Sequence, residues 1–190
     1  MTKSITLPGL LLLFTGPIFT QSSPEFDPAE ITKILYDYID EEDPGLAVGI
    51  VKDGEIIYEE YLGYANLEHQ IKVDERTRFN IASTAKQYTA LMVLELSLAG
   101  QLSLEDDIRK YLPQLYPEVK EAIRIRQLIN HTSGIRDYVF ILEMMNQPWW
   151  RQIGMDNDDV IELLEKQNTL AATPGTRYIY SNSGYTVLTN

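Results

Sequence analysis

Apolar positions Ile31, Ile34, Leu35 and Tyr38 recur at helical spacing behind Asp27-Pro28-Ala29-Glu30. A capping aspartate, a proline at the first helical position and an acid reaching back predict an amphipathic helix to about Glu41, ended by Pro44-Gly45. The pattern then changes. LAVGIVK and EIIYEEYLGYA flank Asp53-Gly54, a dipeptide that favours a two-residue hairpin turn, so two antiparallel strands are expected. Beyond Arg78 it returns to helix. Over residues 83–99 only Thr89, Glu95 and Ser97 interrupt the apolar surface after Tyr88, and Gly100 closes the segment. A helix apolar nearly all round is expected to be buried all round. Shorter helices are predicted over 104–112 behind Ser103, over 125–130 and 138–145, and over 160–166 behind Asp156, Asp158 and Asp159. Thr173-Pro174-Gly175 breaks the chain before TRYIYSNSGYTVLTN, and no internal repeat or low-complexity linker is present.

This order divides the chain into a helix and hairpin over 27–78 and a mostly helical part over 79–190. A lone two-stranded hairpin does not sustain a sheet, and its edges stay open to pairing. Either the helices cover it or further strands of the same sheet lie beyond Asn190. At the other end, residues 1–22 carry one basic residue, Lys3, then an apolar run over 7–19 broken by Pro8, Gly9, Gly16 and Pro17, then small polar residues. That is the layout of a secretory signal, short for a membrane span. The expectation is cleavage between Thr20 and Ser23 and export to a periplasmic or extracellular site. An uncleaved N-terminal membrane anchor and a buried N-terminal helix are the alternatives.

Composition narrows the partners. With 190 residues, 44% apolar and 23% charged, the chain suits one globular domain with a real core. A formal net charge of -12 sets its own field against nucleic acid and against anionic lipid surfaces, and both are excluded as partners. There is no cysteine, hence no disulfide framework, thiolate metal site or catalytic thiol.

The chemistry concentrates at two places. Ser83 and Lys86 stand three positions apart at the start of the apolar helix, neighbours on one face. A serine hydroxyl needs a nearby base, and burial or the positive end of a helix dipole can make a lysine serve as one. The same helix end offers N–H groups to an oxyanion. Nine serines and eight lysines give roughly 0.4 chance copies of S-x-x-K, so in isolation the motif fits a capping serine and a solvated lysine better. Tyr180-Ser181-Asn182 is the second place. A tyrosine beside a lysine cation can take and return a proton, and an asparagine amide can orient a carbonyl. Tyr64-Ala65-Asn66 repeats the spacing and reads as a turn ending the hairpin. His69 and His131, the only histidines, lack ligand spacing and read as surface or capping residues. The Asp156 cluster lacks the glycine and distal glutamate of a calcium loop and reads as a helix cap. Pro148-Trp149-Trp150 suits a cleft wall or an interdomain plug. No metal site and no cofactor are expected.

The order of the pieces is more specific than any piece. LGYANLEHQIKVDERTRFNIASTAKQYTA around the serine, then AGQLSLEDDIRKYLP, IRQLINHTSGI and PGTRYIYSNSGYTVL, together resemble the serine β-lactamase and penicillin-binding-protein superfamily over residues 31–190. The resemblance is to its class C-like branch, which also holds D,D-peptidases, D-aminopeptidases and esterases. It implies an α+β fold of the β-lactamase/transpeptidase type, here truncated to the N-terminal helix and hairpin of the α/β part plus the helical part, with the site in the cleft between them. It further implies Ser83 as acylated nucleophile, Lys86 as its proton-transfer partner, Tyr180 as general base and acid, and Asn182 as a substrate-orienting amide. The substrate would be a small molecule or peptide with an amide or ester bond. The superfamily's third motif, K-T-G or H-x-G, does not occur in these 190 residues. The expectation is therefore a serine hydrolase nearly inactive as this fragment, the alternative being a non-catalytic module binding peptidoglycan or a partner.

Overall fold

A computed structural model describes residues 26–148, 151 and 155–190. The signal-like stretch 1–22 and Trp149 and Trp150 lie outside the described residues. The chain divides into two compact units, one ending at Phe79 and one spanning Asn80–Asn190.

In the first unit, α1 (Pro28–Tyr38) begins where the cap predicts: the Asp27 carboxylate accepts the Ala29 N–H at 2.9 Å. It ends three residues before Glu41, because Ile39 is already extended. Strands β1 (Leu46–Lys52) and β2 (Glu55–Leu62) pair antiparallel, with Lys52 opposite Glu55. Asp53 and Gly54 both have positive φ, 53° and 85°, the twist that a two-residue hairpin turn requires. Tyr58 and Leu62 are buried, and the Tyr58 hydroxyl bonds Thr32 of α1 at 2.9 Å. Tyr64-Ala65-Asn66 is not a turn. It forms β3 (Tyr64–Asn66), paired with β4 (Ile71–Lys72), which the sequence pattern did not reveal. Gly63, at φ 65°, separates it from β2, and a Cβ there would lie 2.5 Å from the Asp43 carbonyl oxygen. Among the described residues each sheet has two strands.

The second unit opens with a 3₁₀ turn (Ala82–Ala85) that runs into α2 (Lys86–Leu98). Helix α2 closes on Gly100 at φ 72°, where the Gly100 N–H donates to Ser97 and the Gln101 N–H to Leu96, the paired bonds of a Schellman end. The helix is not buried all round. Val93 alone is buried, whereas Met92 and Leu98 are 65% and 89% exposed. Apolarity reports what a helix surface favours, not whether a neighbour exists to cover it. Residues 104–112 also differ from expectation, giving only a 3₁₀ turn (Ile108–Lys110) capped by Asp107. Their backbone pairs elsewhere: Ile108 N–H donates to Ile123, Ile125 N–H to Asp106 and Arg126 N–H to Leu104. Those bonds exclude a helical ladder through the same groups.

Three short helices follow: α3 (Ile125–Ile129), α4 (Tyr138–Met144) and α5 (Asn157–Glu165). The acidic cluster is a cap, as its composition predicts. Asp156 accepts from the Asp158 and Asp159 N–H groups, and Asp159 accepts from the Asp156 N–H. The last helix, α6 (Asn182–Leu188), is capped by Ser181, whose Oγ accepts from Gly184 N–H. Leu115, Ile123, Leu128, Ile135, Leu164 and Val187 form the apolar centre. Full burial of each large aliphatic side chain contributes about 1.5–3 kcal/mol.

One feature of this unit governs the site. Ile179 N–H donates to His131, Gly175 N–H to Thr132 and Ala171 N–H to Gly134. Residues 131–134 thus hold the stretch that delivers Tyr180.

Candidate active site

Ser83 lies in the 3₁₀ turn and Lys86 is the first residue of α2, so a single turn sets their separation. Lys86 Nζ donates to Ser83 Oγ at 3.1 Å. Ala82, just before the serine, has φ 47°, a left-handed conformation that costs an alanine about 1–2 kcal/mol. That kink begins the turn that presents Ser83.

Tyr180 and Asn182 come from the other end of the unit, around the cap of α6, and converge on the same point. Ser83 Oγ is 2.7 Å from Tyr180 Oη, and Lys86 Nζ donates to Asn182 Oδ1 at 2.8 Å. The ammonium also lies 5.1 Å from the Tyr180 ring centre. All four residues singled out from the sequence are brought together. Burial pushes the Tyr180 phenol up, but its interaction with Lys86, its hydrogen bond with Ser83 and the Lys86 charge outweigh that and leave it below its ordinary value. A phenol lowered in this way, hydrogen-bonded to a serine hydroxyl, can exchange a proton with it.

Three residues that sequence reasoning did not place at the site support it. Asp137 caps α4 through Val139 N–H and accepts from the Asn182 N–H through its other oxygen, which ties the start of α6 to the start of α4. Ser183 Oγ, fully buried, accepts from Tyr138 N–H at 2.7 Å and makes the same link. His131 packs against the aromatic side: its ring centre is 4.4 Å from that of Tyr180 and 5.2 Å from that of Tyr185. Its Nδ1 accepts the Ser181 N–H at 3.2 Å. The only sequence signal for His131 and Asp137 was position in or just after the IRQLINHTSGI stretch, and for Ser183 position in PGTRYIYSNSGYTVL.

A shallow depression of about 250 Å³ adjoins the cluster, with Lys86, Asn182, Tyr138 and Tyr185 on its wall. A separate, largely apolar cavity of about 190 Å³ is lined by Val93, Ile108, Leu128 and Val187, with Tyr111 and Asn190 also on its wall.

Known proteins share the fold of this chain. Residues 37–190 match the family model described as Beta-lactamase. Protein flp of Staphylococcus aureus is 31% identical over 148 residues, 76% of this chain and 28% of that protein. Among solved structures, an octameric penicillin-binding protein homologue from Pyrococcus abyssi superposes with a TM-score of 0.64 at 28% identity, covering 84% of this chain and 36% of its own. D-alanine carboxypeptidase AmpC from Burkholderia cenocepacia gives 0.59 at 28% identity, covering 84% and 41%. The chain thus spans well under half the length of these relatives. The α+β architecture is that of the β-lactamase/transpeptidase fold, and the chain belongs to the Beta-lactamase family.

Proposed function

We propose that this protein is a serine hydrolase that acts on an amide or ester through an acyl-enzyme at Ser83. The observation that carries the reading is the 2.7 Å contact of Ser83 Oγ with Tyr180 Oη beside a shared Lys86. In the first step Ser83 Oγ attacks the carbonyl carbon while its proton passes to the Tyr180 phenolate. Collapse breaks the C–N or C–O bond, and the leaving group takes that proton from Tyr180. Water then attacks the ester, its proton returning through Tyr180, and Ser83 is released. Lys86 Nζ and Tyr180 Oη both stand within hydrogen-bond reach of Ser83 Oγ, and the lowered phenol favours Tyr180 as the proton acceptor. Asn182, held by Lys86 and Asp137, is aimed to orient the substrate amide.

The substrate class is that of D,D-peptidases, esterases or β-lactamases. Export follows from the signal-like N-terminus, and among the described residues no helix is long and apolar enough to cross a membrane. Retention of residues 1–22 on the protein recovered from its native source would count against cleavage. K-T-G and H-x-G are absent from the sequence, and one missing oxyanion donor slows such chemistry about 100–1000-fold. The 190-residue chain is therefore expected to acylate slowly and turn over poorly.

The test is prolonged incubation with a fluorescent serine-acylating probe, followed by mass analysis of the modified peptide. An adduct on Ser83, absent from Ser83→Ala, is expected. Tight binding of a peptidoglycan fragment or of a protein partner with no adduct at any concentration of probe replaces this reading with that of a non-catalytic binding module.

A further inference from the structure

We propose that His131 is the positioning residue for Tyr180, holding it against Ser83 as a neutral imidazole protonated on Nε2. The inference rests on the reading of Tyr180 as the base. His131 grips the chain on both sides of the tyrosine: its carbonyl accepts the Ile179 N–H at 2.8 Å and its Nδ1 accepts the Ser181 N–H at 3.2 Å. Its ring lies against the Tyr180 ring at 33° between planes, while Tyr178 meets it edge-on at 5.7 Å. One residue thereby fixes the backbone before, the backbone after and the ring of the group between them.

The grip depends on the state of Nδ1. As acceptor of an N–H it must be bare, which assigns the proton of the neutral ring to Nε2. Protonation of Nδ1 sets two donors head to head and leaves the Ser181 N–H, in a residue 1% exposed, without a partner. The groups facing His131 oppose that protonation on balance. Lys86 of α2 repels it, Asp137 ahead of α4 attracts it, and Tyr178, Tyr180 and Tyr185 are the other titratable neighbours. Burial first, then Lys86, hold the imidazole below its ordinary value. The residue is also committed by its backbone. At φ 59° it occupies the left-handed region, where asparagine is among the few residues at ease.

The consequence is a second proton in the acid limb. With Tyr180 alone as base, the acylation rate falls about tenfold per pH unit below the tyrosine's titration. Once His131 also protonates, the base is displaced as well, and the slope steepens to about a hundredfold per unit. His131→Asn keeps an acceptor near the position of Nδ1 and suits the backbone but does not titrate. It is expected to acylate within about tenfold of the unaltered chain above neutrality and to keep the shallow slope throughout. His131→Leu removes the acceptor and is expected to lose about 10–100-fold at pH values where His131 is neutral, the gap closing once His131 of the unaltered chain protonates.

The experiment joins two readouts on the full chain. Ser83 acylation by the serine-directed probe is followed against pH for the unaltered protein and for His131→Asn. In parallel, ring ¹⁵N shifts of His131 and the Ser181 amide shift are recorded by NMR through the same range. A bare Nδ1, a Ser181 amide that moves with the histidine, and a steep limb that vanishes in His131→Asn are the expected results. A protonated Nδ1 in the neutral ring, an indifferent Ser181 amide, or a steep limb that survives His131→Asn overturns the proposal. If Ser83 takes no adduct, the reading of Tyr180 as base fails, and the NMR arm still decides whether His131 holds the Tyr180 segment.

Discussion

Replacing Gly134 by alanine tests whether the pairing of residues 131–134 with 171–179 holds the second unit together. Gly134 has φ 76°, and a Cβ there would lie 2.1 Å from the Ala172 carbonyl oxygen and 3.0 Å from its carbon. Both are backbone atoms, so relief requires the strand-like pair to separate, at the expense of the 2.7 Å bond from Ala171 N–H to the Gly134 carbonyl. The left-handed conformation costs alanine about 1–2 kcal/mol. Overpacking adds about 1–3 kcal/mol. Gly100→Ala isolates the first cost, since Gly100 has φ 72° and nothing within 4 Å of its would-be Cβ. The unfolded-state gain from replacing glycine is common to both variants and cancels in the difference. At about 2–4 °C per kcal/mol for a chain of this size, Gly134→Ala should melt roughly 2–12 °C below Gly100→Ala. Thermal denaturation followed by circular dichroism measures it. Equal melting points for the two variants refute the clamp, because only the contact with Ala172 distinguishes them.

Three further outcomes follow from the same packing. Leu164→Ala, at a fully buried position in the apolar centre, should destabilise by about 2–5 kcal/mol in urea titration, with an unchanged m-value. Ser183→Ala leaves the Tyr138 N–H without its acceptor and should cost about 1–3 kcal/mol in urea titration. His131 has a lowered value in the folded state, so the unfolded chain binds more protons between the two values. Stability should be full above the ordinary histidine range and fall as pH drops through it towards the folded value. His131→Asn should flatten that part of the denaturation-midpoint profile against pH.

The parts of the fold that were legible in sequence are those set by neighbours along the chain. Asp27, Asp156 and Asp53-Gly54 act within three residues of themselves, and each does what its local chemistry implies. Ser83 and Lys86 belong to the same class, since one helical turn places them. What failed depended on distant partners. The stretch 104–112 had a helical pattern, but pairing with 123–126 claimed its backbone. Helix α2 had the composition of a buried helix, yet only Val93 found cover. Tyr180 and Asn182 were found through the order of motifs, because no periodicity links positions 96 or 97 residues away from their partners. His131 and Asp137 were missed since a loop histidine and a capping aspartate look ordinary until the stretch they hold is known.

That division has a mechanical consequence for the proposed chemistry. The Lys86–Ser83 contact is internal to one turn, so it persists through any disturbance that leaves the start of α2 intact. The Tyr180 contact has no such protection. It depends on residues 131–134 for backbone pairing, on His131 for the ring and on Asp137 and Ser183 for the docking of α6. Loosening any of these lengthens the Ser83–Tyr180 hydrogen bond first, and proton transfer weakens steeply once donor and acceptor leave hydrogen-bond reach. Variants that remove a clamp bond, such as His131→Leu and Ser183→Ala, should therefore resemble Tyr180→Phe in their kinetics, with slow acylation while the chain stays folded. Variants in the exposed apolar face of α2, such as Leu98→Gln, touch none of these supports and should leave the rate unchanged. If clamp variants instead acylate normally while Tyr180→Phe does not, the tyrosine is held by its own contact with Ser83 and Lys86, and the surrounding bonds serve stability alone.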